Sequence, residues 1–195
     1  MASKSTLNAK NLEALGTERL AQLLIEISTG DAAAKRKLRL ALAGAEGPRE
    51  AARELTKRLT SIAKARTFVN WQNRKPLVKD LQTQRSAIME QIAPHDPGEA
   101  LALLWRFMGL ATPVFERCDD SSGTVIDIFH QACADLGEVA KAADAAPEAL
   151  ARQVLDALQD NGFGQYDGLI AIIAPALGPE GVARLKELVE ELGRT

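Results

Sequence analysis

The chain has 195 residues, 46% of them hydrophobic, 26% charged and only 4% aromatic, with a net charge of −2. That length can bury a substantial core in one domain or in two closely packed subdomains. With so few aromatics the core falls to Leu, Ala, Ile and Val, which suits helices better than sheets. Two cysteines make no disulfide framework, and no apolar run approaches the roughly 18–20 uncharged residues of a membrane span.

The opening segment, Met-Ala-Ser-Lys-Ser-Thr-Leu-Asn, has no apolar run and does not read as a secretory signal. A cytoplasmic, reduced protein is the expectation. Thr17 precedes a helix with Leu20, Leu23, Leu24 and Ile27 on one face, closed by Gly30. Asp31 is placed to cap the next helix, which carries Leu38 and Leu42 at an i, i+4 spacing. Pro48 then stands where a first-turn proline is tolerated.

Residues 48–69 predict an amphipathic helix. Leu55, Leu59 and Ile62 share one face, and Arg49, Arg53, Lys57 and Lys64 form a basic stripe on the opposite side. A helix over 75–92 has Pro76 in its first turn and Leu77, Leu81, Ile88 and Ile92 as core residues. Pro94-His95-Asp96-Pro97 is a break with Asp96 as the cap. Residues 97–118 are apolar around the whole circumference, through Leu101, Leu103, Leu104, Trp105, Phe107 and Met108, so this is predicted as the central buried helix, kinked at Pro113.

After a turn at residues 119–123, helices are predicted over 124–143 and 147–160. A loop at 161–166 leads to a short helix over 167–177 and a last helix over 179–192, with Leu185, Leu188, Val189 and Leu192 facing inward. Asp120, Gly123 and Asp127 have a faint echo in Asp160, Gly164 and Asp167, and a period near 40–47 residues is that of HEAT-like arrays. The fold class is therefore all-α, a right-handed array of about eight or nine helices, HEAT-like or an irregular bundle.

Charge divides the chain. Residues 1–95 hold 17 basic and 9 acidic residues, and residues 96–195 hold 7 and 17. A basic N-terminal helical subdomain (1–95) and an acidic C-terminal one (96–195) follow, possible also as one continuous domain. Such a split points to polyanion binding, an acidic partner, or pairing of one half with the other.

Several stretches carry a family resemblance: residues 7–16, Phe68-Val69-Asn70-Trp71, Leu104-Trp105-Arg106-Phe107, Phe115-Glu116-Arg117-Cys118-Asp119-Asp120-Ser121-Ser122-Gly123 and Tyr166-Asp167-Gly168-Leu169-Ile170. Over nearly its whole length the chain resembles an uncharacterised bacterial family known as a domain of unknown function. The resemblance implies an all-helical protein, longer members of which continue into tetratricopeptide-like repeats. This chain ends at Thr195 without such a region, so a short or truncated member is expected. The resemblance carries no reaction and no catalytic residue.

Residues 35–79 hold 13 basic and 3 acidic residues. Their cations suit phosphates, or a solvated face paired with the acidic half. Only Phe68 and Trp71 interleave as aromatics, and Phe68 reads as core. Asp119, Asp120, Ser121 and Asp127 offer oxygen ligands to a hard cation, but their spacing fits turn and cap roles better than a calcium loop. Cys118, His130 and Cys133, with Asp119 or Asp120, invite a zinc or Cys-His reading, yet lack the close cysteine pair of structural zinc sites. Gly162-Phe163-Gly164 lacks a dinucleotide fingerprint. Tyr166 is read either as a surface anchor or as packed under its loop.

No catalytic, cofactor or metal residue is assigned, and an enzyme is not expected. The reading is a protein-interaction or scaffold module docking through Arg49, Arg53, Lys57 and Lys64. Sequence-nonspecific nucleic-acid binding by the same face is the alternative. Head-to-tail self-association, basic half to acidic half, is the third.

Overall fold

A computed structural model describes residues 6–194. Residues 1–5, part of the opening segment in which no secretory signal is read, and Thr195 lie outside the described residues. The chain is all-α, an irregular helical array. No helix among the described residues is long and apolar enough to cross a membrane. Contacts divide the chain into two compact units, one ending at Leu42 and one beginning at Ala43.

The first unit holds α1 (Ala9–Glu13), α2 (Thr17–Ser28) and the start of α3 (Ala32–Glu46). Gly16, at φ 79°, occupies the cap position of α2, so Thr17 is the first helical residue instead of the cap. Asp31 caps α3 as expected, its Oδ1 accepting from Ala33 N at 2.8 Å and Ala34 N at 3.0 Å. Leu20 and Leu23 of the predicted α2 face are half-buried, but Leu24 and Ile27 are exposed.

The second unit opens with α4 (Pro48–Lys64), Pro48 sitting at its first positions. The predicted face is its buried face: Leu55, Leu59 and Ile62 lie in the core with Ala51 and Ala52. Each fully buried leucine there contributes about 2 kcal/mol by removal of apolar surface from water. A connection holding a short 3-10 turn (Trp71–Asn73) leads to α5 (Arg74–Ala87), which passes into a π turn, Ile88–Ile92. The wider turn is closed by Ala93 N donating to Ile88 O at 2.9 Å, and it directs both Ile88 and Ile92 into the core.

α6 (Pro97–Met108) is the central helix and packs against α4, the π turn and α8. Its chain breaks at Gly109, one turn before the expected kink. Pro113 has no N–H to give to the carbonyl four residues back, and its ring crowds that carbonyl. A short α7 (Ala111–Phe115) follows. Then come α8 (Ile126–Ala142), α9 (Pro147–Gln159) and α10 (Leu169–Leu192). α10 is two helical halves meeting at Gly178, which is non-helical at φ 60° and ψ −176°, as the sequence predicts.

Leu185 and Leu188 are buried, whereas Val189 and Leu192, also expected inside, are exposed. They lie beyond Arg184, whose Nε pairs with Glu148 Oε1 at 3.0 Å in the first turn of α9. The change of charge sign at residues 95 and 96 falls inside the second unit, and helices from both sides of it share one core.

Candidate functional site

The expected basic stripe belongs to the outer face of α4. Four residues advance a helix by 400°, so Arg49, Arg53 and Lys57 form one row while the leucines point inward. All three side chains are exposed and line one wall of a groove of about 580 Å³. Lys64 is exposed too, but it ends α4 about 10 Å further along the axis and does not line the groove.

The opposite wall comes from the π turn and the break after it. Ile92 O accepts from His95 N at 2.9 Å and from Asp96 N at 2.8 Å, folding the chain sharply. Asp96 then caps α6, its Oδ1 accepting from Glu99 N at 2.9 Å. His95, Asp96 and Glu99 thereby face the α4 cations across the groove, over a floor made by Ala52 and Ile92.

Two of the cations have partners on their own helix. Arg53 Nη1 meets Glu50 Oε1 at 2.6 Å, and Lys57 Nζ meets Glu54 Oε1 at 2.5 Å. The groove is therefore of mixed charge, cationic on one side, carboxylate on the other and apolar below. Sequence reasoning found the cationic wall and missed the other one. Its signal was the Pro94-His95-Asp96-Pro97 break, which reads as a terminator when the facing helix is not in view.

The remaining candidates occupy other places. The thiols of Cys118 and Cys133 are both buried. Burial and then Asp120 push the Cys118 thiol up, while burial and then Asp167 push Cys133 up to about 11. His130 Nε2 lies 2.9 Å from Gly164 O. Among the described residues no three His, Cys, Asp or Glu side chains stand where they could hold a metal ion.

Asp120 anchors the start of α8 from the preceding loop: its carboxylate accepts from Val125 N at 3.0 Å and Ile126 N at 2.9 Å, with Arg74 Nη1 3.8 Å away. Gly123 and Gly164 both take left-handed φ, 73° and 76°, so the sequence echo marks two alike glycine turns. The aspartates differ, since Asp160 Oδ1 accepts instead from Thr112 Oγ1 at 3.3 Å.

Tyr166 is packed under its loop, buried beside Trp105 at 6.4 Å between ring centroids. Phe68, read as core, is 64% exposed. Val69 N donates to Arg117 O at 2.7 Å and Val69 O accepts from Asp119 N at 2.9 Å. That bridge turns Val69 toward Cys118, and in extended chain the next side chain faces the other way.

A protein-family model matches residues 2–195, and its description is a family of unknown function, DUF6880. No curated protein and no solved structure matches the chain.

Proposed function

The chain belongs to this family of unknown function, and from that premise we propose that it is a protein-interaction module whose docking site is the α4 groove. The observation that carries the reading is the facing of Arg49, Arg53 and Lys57 by Asp96 and Glu99 over an apolar floor. The chemistry suits a helical segment of a partner protein. Such a segment would set carboxylates against α4, an apolar side chain over Ala52 and Ile92, and a cation toward Asp96 and Glu99. A helical wall favours this role, because the backbone that presents these side chains is already ordered before binding.

Duplex nucleic acid suits the same face less well. Glu50 and Glu54 occupy two of the cations, and Asp96 and Glu99 would repel phosphates from across the groove. The resemblance through Phe115–Gly123 and Tyr166–Ile170 supports a finer placement. On that resemblance the chain is a bacterial protein whose longer relatives continue into tetratricopeptide-like repeats, and its two free cysteines favour a reducing, cytoplasmic setting.

The test is selection of short random displayed peptides on the protein. The peptides that emerge are expected to combine acidic, apolar and basic positions, and to lose about ten-fold in affinity on Arg53→Glu. Exchanging the charges of a selected peptide is expected to restore binding to that variant. Selected peptides that ignore Arg53→Glu would sink the groove as the docking site.

A further inference from the structure

We propose that residues 64–75, the connection from α4 to α5, form a contact surface for single-stranded nucleic acid. This surface is separate from the α4 groove. It stands on the exposure of two aromatic rings in a stretch of chain that has no carboxylate.

The chain has only five Phe, two Trp and one Tyr. Phe68 is 64% and Trp71 61% exposed, and neither ring contacts another aromatic. Phe163, at 44%, is the remaining large aromatic on the surface, and it stacks on Phe115 at 5.0 Å between centroids. Two unpartnered rings three residues apart are thus a feature of this segment alone among the described residues.

The charge is as one-sided as the aromatics. Residues 55–79 contain seven Lys or Arg and no Asp or Glu. Lys64, Arg66 and Lys75 are exposed and make no ion pair. The carboxylates on the neighbouring 116–120 segment are largely engaged. Asp119 Oδ1 accepts from Ser121 N at 3.0 Å, and Asp120 is held by the N–H groups of Val125 and Ile126. Glu116 is exposed and has Arg117 beside it in sequence.

The backbone under the rings is held in place. Besides the bridge at Val69, Arg117 Nη1 donates to Thr67 O at 3.2 Å and Arg74 Nη1 to Asp119 O at 2.9 Å. Asn70 Oδ1 accepts from Asn73 N at 3.0 Å. Rings on a fixed backbone lose little freedom when a flat partner stacks on them. The exposed amides of Gln72 and Asn73 have no side-chain partner.

Stacking faces, phosphate-seeking cations and free amides for base edges are together the requirements of an unpaired strand. A duplex hides its base faces and leaves the rings without a partner. An anionic lipid surface suits the rings and cations but strands the amides between them.

The experiment is fluorescence anisotropy of labelled oligothymidine and oligouridine, with a matched hairpin duplex, at ~50 and ~200 mM salt. Single strands are expected to bind at least ten-fold more tightly than the hairpin and to weaken ten- to twenty-fold over that salt range, as about three phosphate contacts require. Phe68→Ala and Trp71→Ala are each expected to weaken binding about ten-fold, and Trp71→Phe to keep most of it. Helical circular dichroism checks that the variants remain folded.

The proposal is overturned if hairpin and single strand bind alike, if the Phe68→Ala/Trp71→Ala double variant binds like the parent, or if no strand binds at the lower salt. Vesicles containing phosphatidylserine that need both rings, with no strand binding, would reassign the surface to membrane. Displacement of the strand by polyglutamate as effectively as by unlabelled strand would make it a general polyanion site and overturn the proposal as well.

Discussion

Arg85 of α5 grips Asp135 of α8 through two parallel hydrogen bonds, Nε to Oδ2 at 2.6 Å and Nη2 to Oδ1 at 2.8 Å. Its third nitrogen donates to Gln131 Oε1 at 2.9 Å. Arg85 belongs to the basic half of the sequence and Asp135 to the acidic half. Arg74 also crosses between the halves, but more loosely: its Nη1 donates to the backbone carbonyl of Asp119 at 2.9 Å and stands 3.8 Å from Asp120 Oδ1. Part of the charge asymmetry is therefore a folding feature. The stripe on α4 is not used in this way: two of its cations pair within their own helix, and Arg49 and Lys64 make no ion pair.

Removing one partner of the Arg85 clamp leaves the other charge almost buried, since the Asp135 side chain is 10% exposed. Arg85→Ala is expected to cost about 3 kcal/mol, or about 6–12 °C in the unfolding midpoint of the unit. Arg85→Lys is expected to recover little, because an ammonium cannot reproduce the two-pronged geometry. Thermal melts of the parent and both variants check this, and a lysine variant as stable as the parent would show that charge alone matters.

What could be read from the sequence divides by the range of the interactions. Local signals sufficed for Leu55, Leu59 and Ile62, for Asp31 and Asp96 as caps, and for the break at Gly178, because period, cap chemistry and Gly-Pro spacing act over a few residues. Phe68 was misplaced because its direction is decided by a bridge to Cys118, some fifty residues on. Val189 and Leu192 were misplaced because the end of their partner helix, not their own period, decides burial. The groove was half legible for the same reason: its second wall exists only once the π turn has folded the chain back.

Asp120 ties the 116–125 loop to α8 by accepting from two backbone N–H groups. Asp120→Ala leaves both without that acceptor and is expected to cost about 1–2 kcal/mol. Asp120→Asn keeps one acceptor oxygen and is expected to cost less. Because Asp120 is also the second influence holding the Cys118 thiol up, after burial, both variants are expected to react faster with a thiol reagent at mildly alkaline pH. Stability by denaturant and thiol kinetics read the two effects separately.

Two glycines are expected to respond to alanine with opposite signs. A Cβ on Gly137 of α8 would stand 2.6 Å from Ile172 O and 2.7 Å from Ile172 Cγ2 in α10. A backbone carbonyl cannot rotate aside, so Gly137→Ala is expected to push α8 and α10 apart at a cost of about 2 kcal/mol, outweighing the ~1 kcal/mol that alanine gains in helix propensity. At Gly98, in the first turn of α6, the nearest atom is Asp96 Oδ1 at an ordinary 3.5 Å. There the propensity gain is unopposed, and Gly98→Ala is expected to raise stability by about 0.5 kcal/mol. Denaturant midpoints for the pair decide it; a harmless Gly137→Ala would mean that the two helices are not in close contact.

Tyr166 is the one tyrosine of the chain, so its ionisation has an unmixed optical signal. Burial first, then Asp160, then Cys133, raise its hydroxyl above the ordinary value of 10.0. The protonated form is favoured in the folded state, so the associated stability is complete below pH 10.0 and is lost as pH rises toward the folded value. Cys133 acts in the same direction over the interval from 9.0 to about 11. Alkaline titration is expected to show the phenolate band appearing together with the loss of helical circular dichroism, in one transition above pH 10.0. Cys133→Ala should move that transition to higher pH, and Tyr166→Phe, which has no phenolate band, should move the loss of helical circular dichroism to higher pH. A phenolate band that develops at the ordinary value while the helices stay intact would mean that the Tyr166 hydroxyl is open to water and that the loop does not cover it.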